Sequence, residues 1–351
     1  MMSQENLYKI ERGADKQPVE LSKAEGKAAQ EPAYSLTEET KLFPKMVVIN
    51  TCYPCNALCP HCPYTPTNSK IRMEARAKET PYMPWDVFKA IADEVGKHKA
   101  ILRFSGAGEP LVHKQCVDYI EYAKSVGCQV GLINNGSLMT EDRARRMLEA
   151  KVEMIEFSVD AADPETYDIV RKGLKFEKTL ANIKKTVELR NSLKTKTRII
   201  ASVVDQKLVH HMLDDIVAFW KPIVDVVQVR KYLTWDVNDL NNSGDVTPYL
   251  DPEAACPFPF DRLLIDSNGD MRFCVYDIKA RTNWGNVLKE TISSVWTGPD
   301  FDQLRRFHND REFNRMEICE KCLDRQFRSW DYNYFLLREK AQQALQEKIA
   351  N

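Results

Sequence analysis

The chain reads as an α/β protein built on a mostly parallel sheet, followed by a smaller α+β unit. Two patterns carry this expectation. Strand-like apolar runs at 46–51, 100–105, 129–133, 152–159, 198–204 and 224–232 alternate with helical patterns. Beyond residue 235 the alternation stops and a strand–turn–strand pattern takes over. Six strands interleaved with helices imply parallel pairing through right-handed crossovers. Periodicity by itself leaves two architectures open, a doubly wound sheet and an incomplete (β/α) barrel.

In chain order, residues 1–44 come first. They are polar, rich in Lys, Glu, Gln and Ala, and without a sustained period, as expected of a mobile arm or short cap. The first helical pattern, 84–97, sets Trp85, Val87, Phe88, Ile91, Ala92 and Val95 on one face. Four more follow at 114–126, 140–150, 178–192 and 208–222. The stretch 235–255 is rich in Asn, Asp and Pro and marks a boundary. Past it, apolar residues at 263–265 and 271–275 flank Ser267-Asn268-Gly269, and Asn-Gly in that setting is a type I′ hairpin signal. Short helical patterns at 292–296 and 301–307 and an amphipathic pattern at 329–349 complete the chain. The expected organisation is an arm (1–44), a sheet-and-helix domain (45–235), a small domain (236–328) and a terminal helix (329–351).

Composition excludes several functions. Lys and Arg number 50 against 51 Asp and Glu, a net charge of −1 over 351 residues, which argues against a large nucleic-acid footprint. No apolar run approaches the roughly 18 residues of a membrane span. The N-terminal residues lack the apolar core of a secretory signal. A cytoplasmic protein is expected, with no membrane span and no nucleic-acid partner. Ten cysteines in such a chain point to metal rather than disulfides.

Four of them fall in TCYPCNALCPHCP (51–63), directly after the first strand. Cys55, Cys59 and Cys62 form C-x3-C-x2-C. Three thiolates on one loop can bind three irons of a [4Fe–4S] cube and leave the fourth open. Zinc is the alternative, with Cys52 as a fourth ligand. Paired zinc knuckles, however, use a spacer of about 15–20 residues.

This segment resembles the signature of the radical S-adenosylmethionine (SAM) enzymes. Further matches follow in that family's order, at strand ends. FSGAGEP (104–110) resembles its Gly-Gly-Glu-Pro motif, NNG (134–136) its Thr-Asn-Gly, and SVD (158–160) and RKG (171–173) follow as in many relatives. The likeness covers about residues 46–232. It implies a partial (β/α)6 barrel with its site at the strand C-termini, and reductive cleavage of SAM to a 5′-deoxyadenosyl radical that abstracts a hydrogen atom.

The resemblance also implies residue roles. Cys55, Cys59 and Cys62 ligate the cluster. Gly108, Glu109 and neighbouring backbone position the SAM amino group. Asn135 belongs to the motif after the third strand. Ser158, Asp160 and Arg171 are candidates for the SAM carboxylate and ribose, and His61 for the adenine. A flavodoxin- or ferredoxin-like donor would supply electrons. Plainer readings stand beside these: Asp160 as a helix cap, Arg171 as a surface charge, His61 as a packed loop residue.

Cys256, Gly269 and Cys274, spaced C-x12-G-x4-C, and the later pair Cys319 and Cys322 resemble the opening motif and last cysteine pair of the family's auxiliary-cluster domains, called SPASM or, in shorter form, twitch. The segment WGNV (284–287) and Trp296 fit as well. With no cysteine after Cys322, the four suit one fully ligated [4Fe–4S] cluster, or a structural zinc. Cys128 is expected as a buried apolar residue. Cys52 and Cys116 lie near strand ends on the catalytic side, either as packing or as hydrogen-atom donors, and the helix N-terminus near Cys116 favours a thiolate.

The implied substrate is a small polar metabolite, carbohydrate- or aminocyclitol-like, undergoing dehydrogenation or epimerisation. Arg230, Lys231 and Tyr232 end the sixth strand and suit its recognition. The alternatives are a peptide maturase, for which a 44-residue arm is short, and a non-enzymatic zinc or iron–sulfur regulator.

Overall fold

A computed structural model describes residues 34–65, 80–233, 243–244, 251–277 and 282–326, with positions 343 and 346. Most of the expected arm (1–33) and nearly all of the expected terminal helix (329–349) lie outside these residues.

Among the described residues eight strands form one sheet in the order β6-β5-β4-β3-β2-β1-β7-β8. The first six are β1 (Met46–Ile49), β2 (Ile101–Phe104), β3 (Gln129–Asn134), β4 (Met154–Ser158), β5 (Arg198–Asp205) and β6 (Val226–Lys231). All pair parallel with their sequence neighbours. Helices α1 (Trp85–Lys97), α2 (Cys116–Ser125), α3 (Glu141–Glu149), α4 (Pro164–Val170), α5 (Phe176–Ser192) and α6 (Leu213–Trp220) connect them. This is the partial (β/α) barrel.

The short helix α4 has no counterpart in the apolar pattern. Its signal is a cap: Asp163 accepts from the Thr166 amide at 2.9 Å, and Pro164 occupies the first turn.

Strand alternation builds two cores. Val47, Ile49, Leu102, Phe104, Val130, Leu132, Ile155, Phe157, Ile199, Ala201 and Val203 face outward and pack under the helices. Met46, Val48, Ile101, Met154, Ile200 and Leu264 face inward and form a separate apolar cluster that floors the barrel. Above this floor most inward positions are polar, with Ile133 and Val204 as apolar exceptions in the cavity wall.

The hairpin strands β7 (Arg262–Ile265) and β8 (Met271–Arg272) do not start a separate sheet. β7 lies parallel to β1, with Met46 opposite Arg262 and Ile49 opposite Ile265, and β8 is antiparallel to β7. The turn differs from the expected type I′. Only Gly269 has positive φ (90°); Asn268 does not. The Gly269 amide donates to Asp266 O at 2.9 Å and the Asp266 amide to Asp270 O at 2.9 Å. This is a three-residue loop, a type I turn closed by a left-handed glycine.

The C-terminal helices dock on the barrel. Glu94 of α1 accepts from the amides of Ile292 (2.7 Å) and Ser293 (2.9 Å), capping α8 (Ile292–Trp296; α7 is Phe258–Asp261). The end of the arm is held as well. Thr40 O accepts from Trp296 Nε1 at 2.6 Å, and Leu42 O from Ser293 Oγ at 2.8 Å.

Candidate active site

The strand ends and the loops that follow them enclose a cavity of ≈ 360 Å³. Cys55, Cys59 and Cys62 line it, together with His61, Gly108, Glu109, Asn135, Ser158 and Arg171. All three thiols are unbridged.

The cysteine loop is pinned from three sides. Behind it, Gly108 packs so closely that a Cβ there would lie 2.4 Å from Cys52 O and 2.5 Å from Pro54 O. The Glu109 amide donates to Pro54 O at 3.0 Å. From β3, Asn135 Nδ2 donates to Asn56 Oδ1 at 2.9 Å, and Asn56 Nδ2 donates to Ser137 Oγ at 2.8 Å. From the loop after α4, Lys172 O accepts from the Leu58 amide at 2.7 Å.

Asp160 is fully buried in a left-handed conformation (φ 57°), which Asp tolerates better than most residues. It stands behind the wall. Its Oδ1 accepts from the Val204 amide at 2.7 Å, and its Oδ2 is 2.6 Å from Arg171 and 3.6 Å from His61 Nε2. It does not cap α4; Asp163 does. Burial opposes the charge of Arg171, but Asp160 and the Cys59 sulfur 3.7 Å away outweigh it and raise its pKa. Arg171 is therefore a buried, oriented cation in the wall rather than a surface charge. His61 is lowered to about 4 by burial and is neutral, and its Nδ1 is buried without a hydrogen-bond partner.

Glu109 spends its carboxylate on the protein, accepting from the amides of Leu111 (3.1 Å) and Asn135 (2.8 Å). Burial raises its pKa to about 7 despite these donors.

Cys52 and Cys116 fall outside the cavity wall. Both are 1% exposed, and Cys52 Sγ donates to Glu109 O at 3.2 Å. The thiolate expected at Cys116 is reversed, because burial pushes both thiols up, Cys52 to about 12. Cys128 is buried, its Sγ donating to Ala92 O.

The four cysteines of the second set are buried or half-buried together near the cavity wall. Burial raises all four thiols, and the neighbouring cysteines of the set raise Cys256, Cys274 and Cys319 further. Backbone amides donate to their sulfurs, Tyr276 to Cys274 at 3.3 Å and Arg325 to Cys322 at 3.4 Å. Phe258, Val275 and Tyr276, neighbours of these cysteines in sequence, form part of the cavity wall.

Sequence reading passed over much of that wall. Tyr64, Arg103, Glu156, Ser202, Arg262, Asp266 and Arg272 all line it, beside the expected Arg230, Lys231 and Tyr232. The available signal was a lone charge inside an apolar strand, as in Ile101-Leu-Arg-Phe104 and Met154-Ile-Glu-Phe157.

The donor chemistry fits iron–sulfur clusters. Among the described residues, no three His, Cys, Asp or Glu side chains converge on a single metal ion. What the chain offers is one set of three unbridged thiols facing a chamber and one set of four behind its wall. Two polar atoms of wall residues, His61 Nδ1 and Arg171 Nε, are buried without a hydrogen-bond partner.

Residues 49–202 match the model of the radical SAM superfamily, and the chain belongs to that superfamily. Residues 256–323 match SPASM, an iron–sulfur cluster-binding domain, so this is a radical SAM enzyme with a C-terminal SPASM domain. It is 25% identical over 267 residues to the tungsten-containing aldehyde ferredoxin oxidoreductase cofactor-modifying protein of Pyrococcus furiosus, covering 64% of this chain and 75% of that one. Its fold resembles that of BtrN in complex with AdoMet and 2-DOIA (TM-score 0.56, 17% identity, 80% of this chain and 93% of that chain). It also resembles Streptococcus suis SuiB bound to precursor peptide SuiA (TM-score 0.61, 13% identity, 80% and 71%). Among the described residues no helix is long and apolar enough to cross a membrane.

Proposed function

We propose that the protein removes a hydrogen atom from a small polar metabolite and that the outcome is dehydrogenation. Cys55, Cys59 and Cys62 hold the SAM-binding [4Fe–4S] cluster, and Cys256, Cys274, Cys319 and Cys322 hold a second [4Fe–4S] cluster. Bound there, the first cluster would supply the electron that cleaves the SAM sulfonium to the radical that takes the hydrogen atom, and the second would accept the electron left on the substrate as it loses a proton. A flavodoxin- or ferredoxin-like donor in the cytoplasm provides the reducing electron.

The chain's own residues prepare the chamber. Asp160 holds Arg171 charged and pointed at the wall. Glu109 ties the end of β3 to the loop after β2. Gly108 lets that loop press against the cysteine segment. His61, kept neutral by burial, offers a flat ring. The aromatic wall of Tyr64, Phe258 and Tyr276 restricts water at the side next to the second cysteine set.

One observation carries the choice of dehydrogenation over epimerisation. Cys52 and Cys116, the candidate hydrogen donors, are outside the chamber, whereas the four-cysteine set adjoins it.

The test is anaerobic reconstitution, then SAM, a chemical reductant and a panel of polyols and aminocyclitols. Formation of 5′-deoxyadenosine with an oxidised product is expected, and Cys55→Ala should abolish both. Product carrying solvent deuterium at an inverted carbon would instead establish epimerisation. Turnover of a peptide alone would establish a maturase.

A further inference from the structure

Just above the apolar floor, one layer of the barrel interior is charged. Its members are Arg103 on β2, Glu156 on β4, Ser202 on β5 and Arg230 on β6, all in the cavity wall. Glu156 is 1% exposed, and its carboxylate lies 2.7 Å from Arg230 and 3.5 Å from Arg103. Arg230 Nε also donates to Ser202 Oγ at 2.9 Å. Burial opposes the Glu156 charge, yet Arg230 and Arg103 outweigh it and hold its pKa below the usual range.

The pairing here differs from that of three other arginines in the wall. Arg171, Arg262 and Arg272 each have a carboxylate of their own, in Asp160, Asp261 and Asp266. In the charged layer two guanidiniums, those of Arg230 and Arg103, lie against the same carboxylate. The guanidiniums also show more surface than the group that holds them. The side chains of Arg230 and Arg103 are 25% and 12% exposed, against 1% for Glu156.

A buried charged layer is a poor choice for stability alone, since packed apolar residues of similar volume often hold a core as well or better. Met46, Ile101, Met154 and Ile200 do so one layer below. A guanidinium pair fixed from one side by a carboxylate is, by contrast, well suited to grip an oxyanion from the other.

We propose that this layer is the oxyanion subsite for the substrate. A small metabolite carrying a carboxylate or phosphate sets that group against Arg230 and Arg103, while Glu156 and Ser202 orient the guanidiniums. The inference rests on the radical SAM reading above and narrows its polar metabolite to an anionic one.

The experiment is anaerobic titration calorimetry on the full-length reconstituted holoenzyme with SAM present and no reductant, using succinate, inorganic phosphate and erythritol. Succinate or phosphate is expected to bind and erythritol not, and the preferred oxyanion identifies the group the substrate carries. Arg230→Gln should weaken that binding about tenfold or more, the effect of losing a charge-assisted hydrogen bond. Glu156→Gln frees both guanidiniums and should tighten it. A purely structural ion pair would lower the melting temperature in both variants without these opposite changes in affinity. If Glu156→Gln does not fold, Arg230→Lys replaces it: retained charge should preserve more affinity than Arg230→Gln does. Oxyanions binding no better than erythritol, or binding equally to wild type and Arg230→Gln, overturns the subsite. SAM cleavage by the wild-type holoenzyme tests the underlying reaction separately. Cleavage without oxyanion binding overturns the subsite alone; oxyanion binding without cleavage overturns the reaction alone.

Discussion

Asn135 at the end of β3 donates its side-chain amide to Asn56 Oδ1, 79 positions earlier in the chain, at 2.9 Å. Asn56 is the residue after Cys55, so the bond fixes the cysteine loop from the opposite bank of the cavity. Asn135→Ala should cost about 1–3 kcal/mol, the desolvation penalty of a buried group left unpaired. Iron retention at the first site should fall while far-ultraviolet dichroism stays unchanged. Iron per chain and a thermal melt, measured on the same sample, check both.

Glu109 gives the protein a pH dependence of predictable sign. Its pKa rises from 4.5 unfolded to about 7 folded, mainly through burial. The folded state therefore favours the protonated form. That contribution is complete below the unfolded value and is lost as pH climbs through about 7. Between pH 5 and 8 the wild-type melting temperature should fall more steeply than that of Glu109→Gln. Parallel melts across that range are the measurement, and identical slopes would remove Glu109 as the cause.

Asp225 is the buried anchor between α5 and β6. It pairs with Arg190 through two hydrogen bonds of 2.9 and 3.1 Å and accepts from the Ile199 amide at 2.7 Å. Asp225→Asn strands the Arg190 charge in the interior and should destabilise by about 3–5 kcal/mol. Urea unfolding of both proteins reads this directly.

Cys274→Ser should lower iron and sulfide by about half, from the eight irons of two cubes to about four. The electron paramagnetic resonance spectrum of the reduced protein should lose one of two components, and substrate oxidation should stop. Zinc in place of the missing iron in wild-type protein would overturn the assignment of the second cluster.

Much of this was legible beforehand, and the reasons are physical. Strand alternation and helical spacing are local, so all six barrel strands fall where their apolar runs are. The cysteine spacings are local too. What escaped depends on pairing across the chain. Nothing in Arg262-Leu-Leu-Ile265 announces β1 as its neighbour. Nothing near Asp160 announces that it is spent on Arg171 and the Val204 amide. Cys116 sits at the first turn of α2, where the helix dipole favours a thiolate, but complete burial overrides that small effect. The lone charges of Arg103 and Glu156 were visible, but their meeting in one layer depends on the register of the sheet.

Met46 finds its second partner at Arg262. Three quarters of the chain must therefore be synthesised before the first strand is flanked on both sides. Until then, β1 presents a row of unsatisfied amides and carbonyls, the template on which a second unfinished molecule can pair. Any fragment that stops before β7, including one cut at the composition change near residue 235, carries that exposed edge. Such a fragment should aggregate, although it contains every motif of the first cluster.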